Sequence, residues 1–298
     1  MASRLWNDDQ IIAVRIPREK VILQGLLSRG GFGEVYAGTF DNERVAVKVL
    51  LSDSRKDIRQ VESFLTEAKM MAELDHPRIV RLIGVAWDSL TDLCVVLDFV
   101  ENGDLRTFLE ELHDDDHEHG FDPDKLRIAQ HVAHGLTYLH SLETPVLHRD
   151  LKSRNILLTA NMEAKLTDFG ISRESSDKTM TAGIGTSLWM APEVMIGDKY
   201  NEKADVYSLG AVLSELDSHT LPYAAARYDD TGRMLSDTAV LQLVAMAKLQ
   251  VQFSQYCSRE MVDLGMACVA TDPNMRPSAF EALYKLQQIA KGYAHQLL

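Results

Sequence analysis

Two charged residues sit where the surrounding pattern is apolar, and they answer each other. In Val45-Ala46-Val47-Lys48-Val49, period-two alternation puts Ala46 and Lys48 on one strand face and three valines on the other. Further along, Phe64, Ala68, Met71 and Leu74 form a helical apolar stripe, and Glu67 falls on that stripe instead of the solvent side. A core-facing carboxylate needs a cation, because an unpaired buried charge is very costly. Lys48 and Glu67 therefore read as an ion pair, against the plainer reading of a snorkelling lysine and a fraying-edge glutamate. Upstream, Ser28-Arg29-Gly30-Gly31-Phe32-Gly33 follows a strand-like run, and its glycines could let backbone amides approach phosphate. Glycine clusters are more often plain turns. A dinucleotide-binding fold would open a helix here and a Walker motif would need Gly-Lys-Ser/Thr, but Glu34-Val35-Tyr36-Ala37-Gly38 continues as strand. The glycine run is thus a hairpin turn.

These residues need a sheet and a helix to hold them. Strand-like runs at about residues 34 to 39, 44 to 50 and 93 to 98 surround one helical stretch at about 56 to 74. Beyond residue 100 the period changes: Leu126, Ala129, Val132, Ala133, Leu136 and Leu139 recur at three- and four-residue steps. The expected class is α+β, with a small β-rich N-terminal lobe carrying one main helix and a larger, mostly helical C-terminal lobe. Its division is an N-terminal extension over 1–19, an N-lobe over 20–100 and a C-lobe over 101–298. A hinge falls at about 98 to 103, where Glu101-Asn102-Gly103-Asp104 supplies turn formers and Asp104 a helix cap.

Composition removes several function classes. The formal net charge of -13 disfavours nucleic acid as the main partner, since phosphate backbones are bound by surplus Lys and Arg. Cys94, Cys257 and Cys268 have no metal-ligand spacing, and their odd number argues against a secreted disulfide framework. No run approaches the ~18 apolar residues of a membrane span, and Met1-Ala2-Ser3-Arg4 opens no signal core. A cytoplasmic protein, or the cytosolic part of a larger one, is the expectation. His113-Asp114-Asp115-Asp116-His117-Glu118-His119-Gly120 crowds carboxylates with imidazoles and invites a metal reading. A solvated polar insertion between two helices explains it without a metal.

The second half carries His148-Arg149-Asp150-Leu151-Lys152-Ser153-Arg154-Asn155, then Asp168-Phe169-Gly170, then Ala191-Pro192-Glu193. With the glycine loop and Lys48, this ordered set resembles the protein kinase catalytic domain over about residues 20 to 290. The resemblance implies ATP with Mg2+, or Mn2+, as cofactor and proteins as substrates. It implies Asp150 as acceptor or orienter of the substrate hydroxyl proton, and Lys152 as a neutraliser of charge on the moving phosphoryl group. Asn155 and Asp168 would hold the metal ions, being hard oxygen donors. Lys48, fixed by Glu67, would grip the α- and β-phosphates under Gly30, Gly31, Phe32 and Gly33. Leu27, Val35, Ala46 and Leu157 would surround adenine, with Leu97 as gatekeeper, the backbone from Asp98 to Val100 on the base, and Asp104 at the rim. Met71, Leu82, His148 and Phe169 match the family's regulatory spine. Glu193 with Arg276 matches its buried ion pair, and Asp205 matches the aspartate that anchors the catalytic loop.

One position departs: Ser28 stands where the first glycine of the loop is usual, which puts ATP affinity in doubt. Lys152 and Thr186 resemble serine/threonine kinases. Trp189-Met190 and the stretch 204 to 210 are similar to the tyrosine-kinase-like group of them. The alternatives are a pseudokinase scaffold or a dual-specificity or tyrosine kinase. In the segment between Asp168 and Glu193, Thr181, Thr179, Ser175 and Ser176 are candidate phosphosites, since a phosphate could bridge Arg149 and Arg173.

Overall fold

The computed structural model describes residues 8–31, 33–89, 91–169, 188–224 and 235–296, with side chains through 293. Phe32, Arg173, Thr186 and the candidate phosphosites Ser175, Ser176, Thr179 and Thr181 lie outside the described residues. The described residues divide into two compact units, the first ending at Glu101 and the second beginning at Asn102. A sheet with one long helix makes the first and helices dominate the second, so the chain is α+β.

The first unit opens with a short helix, α1 (Asp9–Ala13), followed by β1 (Val21–Arg29), β2 (Gly33–Phe40) and β3 (Glu43–Leu50). Helix α2 (Ile58–Ala72), β4 (Leu82–Ala86) and β5 (Cys94–Asp98) complete it. The strands pair antiparallel in the order β1-β2-β3-β5-β4. Asp41 and Asn42 link β2 to β3 with φ of 48° and 68°. Asx side chains tolerate this left-handed backbone, which suits the twist of a two-residue hairpin. Val45, Val47 and Val49 join Val21, Ala86, Cys94 and Val96 in one buried cluster. The residues between them, Ala46 and Lys48, face the other side of the sheet. Helix α2 starts at Asp57, whose carboxylate accepts a hydrogen bond from the Arg59 amide at 3.0 Å. It buries Val61, Phe64, Leu65, Ala68 and Met71, and Glu67 with them.

In the second unit, α3 (Leu105–Asp114), α4 (Pro123–Ser141), β6 (Ile156–Leu158) and β7 (Ala164–Leu166) precede α5 (Pro192–Met195) and α6 (Lys203–Ser218). Helices α7 (Asp237–Ala245), α8 (Arg259–Cys268) and α9 (Ala279–Gln296) follow. Asp104 caps α3, accepting from the Thr107 amide at 3.1 Å, and Asp122 caps α4 ahead of Pro123. The stripe from Leu126 to Leu139 is buried, and α4 packs against α9 and α6. Helix α6 is buried continuously from Ala204 through Asp217, so it has no solvent face and forms the core of this unit. No helix among the described residues is long and apolar enough to cross a membrane.

Candidate active site

Strand register gathers the first set of candidate residues. Val35 lies opposite Lys48, Ala46 opposite Leu97, and Lys48 opposite Val95, so Val35, Ala46, Lys48 and Leu97 share one sheet face. On that face Lys48 Nζ donates to Glu67 Oε1 at 2.8 Å. The ammonium and the carboxylate are both largely withdrawn from water, where their attraction is least screened. The glycine run is a turn closed by the Gly30 amide donating to the Gly33 carbonyl at 2.9 Å. Ser28 belongs to β1 and pairs with Val35, while Leu27 falls at an irregularity of the β1–β2 register and is half exposed. Asp98 is held by Arg81 through two hydrogen bonds of 3.0 and 3.2 Å, and Val100 is buried beyond the end of β5.

The second set stands on a loop hung from α6. Asp205, buried near the start of that helix, accepts hydrogen bonds from the backbone amides of His148 at 2.8 Å and Arg149 at 2.9 Å. Its carboxylate also takes His140 Nε2 at 2.9 Å. Burial alone would raise the Asp205 pKa, but these donors hold it below the ordinary value. Arg149 has φ 65° and Asp168 has φ 55°, strained values for non-glycine residues that persist only where the surroundings fix them. Between them Asp150 accepts from Lys152 Nζ at 2.8 Å and from Asn155 Nδ2 at 3.2 Å, and the same amide reaches the Asp150 carbonyl at 2.8 Å. With Asn155 Nδ2 so engaged, the polar atom the side chain keeps for a cation is its oxygen, a hard donor. Asp168 follows β7, and its neighbour Thr167 donates to the Asn155 carbonyl at 3.0 Å, which ties the two oxygen-bearing residues to one backbone frame. Leu157 sits in β6, bridged to Asp104. The His148 ring lies 5.0 Å from that of Phe169, and burial lowers its pKa, which keeps the imidazole neutral.

Sequence reasoning missed one residue of this unit. Glu215, fully buried on α6, accepts from Arg106 Nη1 at 3.1 Å, Ser153 Oγ at 2.8 Å and Trp189 Nε1 at 2.5 Å. It thereby ties the catalytic-loop sequence to the segment entering Ala191-Pro192-Glu193. Glu215 shares α6 with the buried carboxylates Asp205 and Asp217, so no local pattern singles it out. Glu193 and Arg276 form a buried two-bond pair at 2.6 and 2.8 Å. In the charge run, the His117 and His119 rings lie 5.8 and 5.4 Å from that of His219, whose Nε2 meets Lys125 Nζ at 3.0 Å. Burial, then the Lys125 charge, lowers His219 to about 4. Among the described residues no three His, Cys, Asp or Glu side chains gather as metal ligands.

A family model described as the protein kinase domain matches residues 22–286. The chain belongs to the protein kinase family. Its relatives include the human mitogen-activated protein kinase kinase kinase 11, 34% identical over 91% of this chain and 31% of the relative. The Xenopus laevis mitogen-activated protein kinase kinase kinase 10 is 32% identical over 96% of this chain and 28% of the relative. A Dictyostelium discoideum protein named probable serine/threonine-protein kinase drkD is 31% identical over 90% of this chain and 20% of its own length. The chain thus spans a third or less of the relatives it matches. Those names agree with the resemblance to the tyrosine-kinase-like group of serine/threonine kinases. As a protein kinase domain, the chain uses ATP with a divalent metal ion.

Proposed function

We propose that this kinase domain transfers the γ-phosphate of Mg-ATP to serine and threonine hydroxyls of protein substrates in a signalling pathway. The observation that carries the reading is the Asp150 carboxylate, placed by Asp205 through the loop backbone and flanked by Lys152 and Asn155. Phosphoryl transfer asks the protein mainly to position an in-line nucleophile and to disperse negative charge. Asp150 orients the substrate hydroxyl and takes its proton, and Lys152 balances charge on the transferring group. Asn155 and Asp168 offer oxygen donors of the kind Mg2+ prefers, and the bound metal supplies charge neutralisation at the phosphates. Lys48, oriented by Glu67, meets the α- and β-phosphates. On the first unit Val35, Ala46, Leu97 and Leu27 are assigned to the adenine ring and the backbone from Asp98 to Val100 to its edge, and family resemblance assigns Leu157 of the second unit to adenine as well. The relatives named as kinases of a kinase kinase support a place in signalling.

The test is Asp150→Asn. It keeps the size of the side chain and removes its basicity. We expect nucleotide affinity nearly unchanged and turnover lowered by roughly 10²- to 10⁴-fold, the range for a positioned proton acceptor. That equals about 3 to 5 kcal/mol of barrier. Full turnover by pure, folded mutant protein contradicts the assignment.

A further inference from the structure

Helix α2 carries charges on both flanks of its apolar stripe. Relative to Ala68 at the centre, Glu67 lies about 100° to one side and Lys69 about 100° to the other, since successive helical residues turn by that angle. Glu67 is held by Lys48. Lys69 is held by Asp8, a residue 61 positions earlier that lies outside the matched kinase region. Asp8 also caps α1, accepting from the amides of Gln10 at 3.1 Å and Ile11 at 3.4 Å. On the same flank of α2, Gln10 Nε2 donates to Glu73 Oε1 at 3.2 Å. Ile11 is completely buried.

The segment is fixed equally firmly at its other end. The Val85 amide donates to the Val14 carbonyl at 2.9 Å and the Ile16 amide to the Val85 carbonyl at 3.0 Å, so residues 14 to 16 pair with the outer edge of β4. Gly84 makes room for them: a Cβ there would come within 2.6 Å of Ile16 Cγ2 and 2.8 Å of the Val14 carbonyl oxygen. Arg15 donates to the Trp87 carbonyl at 3.0 Å and lays its guanidinium 4.3 Å from the indole centroid. One end is part of the sheet and the other grips the helix.

We propose that residues 8 to 16 are a positioning strap for catalysis, which fixes the rotation of α2 about its axis and so keeps Glu67 on Lys48. The apolar stripe sets the depth of the helix against the sheet, but apolar packing is non-directional and resists rolling weakly. The two flanking ion pairs oppose a roll in either sense. Releasing Lys69 lets Glu67 swing from Lys48, and the lysine is then less well placed for phosphate. This inference rests on the assignment of Lys48 to ATP. Asp8 and Lys69 are positioning residues, acting through Glu67.

Charge reversal with rescue tests it. In the full chain, Asp8→Lys and Lys69→Asp each raise the KM for ATP about two- to fivefold, the effect of losing a part-exposed pair, while the KM for a peptide substrate stays constant. The double variant, which restores opposite charges, recovers most of the ATP KM. Ile11→Ser, which withdraws the buried anchor, acts in the same direction if the protein still folds. If it does not, the charge variants decide alone, because their side chains are part-exposed. A merely structural role would lower the thermal midpoint and the active fraction without moving the ATP KM of the active molecules. Single reversals with wild-type ATP KM, or a double variant no better than the singles, overturn the strap. A wild-type protein that transfers no phosphate overturns instead the kinase reading on which it rests.

Discussion

At the scale of single residues, Glu215 combines complete burial with three donors from three places: Arg106 on α3, Ser153 in the catalytic loop and Trp189 ahead of α5. Burial pushes its pKa up to about 7, against the pull of Arg106 and the two hydrogen bonds. Below the ordinary value of 4.5 both the folded and unfolded chains hold the proton, and between 4.5 and about 7 only the folded chain does. Its stabilising contribution is therefore present at low pH and is lost as pH rises through about 7. Glu215→Gln keeps the shape and cannot titrate. Denaturant unfolding of both proteins across this window should show the variant gaining on the wild type as pH rises, and parallel stability curves would refute the raised pKa. No local spacing in the sequence announces this residue, because its partners lie up to 109 positions away. Lys48 and Glu67 are legible for the opposite reason: each breaks a periodic pattern within its own element.

At the scale of elements, the glycine turn separates two uses of one residue type. A Cβ on Gly33 would meet the Val49 carbonyl oxygen at 2.5 Å, a backbone atom of β3 that cannot step aside. Gly31 has open space within 4 Å of the same position. Gly33→Ala should destabilise the protein by about 1 to 3 kcal/mol, as overpacking does, and Gly31→Ala should leave the thermal midpoint nearly unchanged. Calorimetry on the two variants checks this, and equal midpoints would contradict the close approach of β2 to β3. The alternation in β3 and the stripe of α2 are plain in the chain, and both elements form, with α2 two residues shorter at each end than the 56 to 74 expected. The Asp57 cap sets one of those ends. Strand β4 is not plain, because its five residues carry Gly84 and lack alternation; what makes Gly84 suitable is the approach of residues 14 to 16 from far upstream. The same distance hid the strap, which falls within the stretch that reads only as an N-terminal extension.

At the scale of the whole molecule, the described chain is a kinase domain in which the loop bearing Asp150 hangs from a buried helix and Lys48 is paired with Glu67 of a second helix. In the proposed function, phosphoryl transfer is assigned to Asp150, Lys152 and Asn155 in the second unit and to the Lys48–Glu67 pair in the first. A scaffold would require none of these residues. Serine/threonine transfer is tested by phosphoamino-acid analysis of a generic protein substrate incubated with Mg-ATP and the purified protein, with Asp150→Asn alongside. Label is expected on serine and threonine with the wild type and almost none with the variant. Label on tyrosine, or equal labelling by both folded proteins, would contradict it.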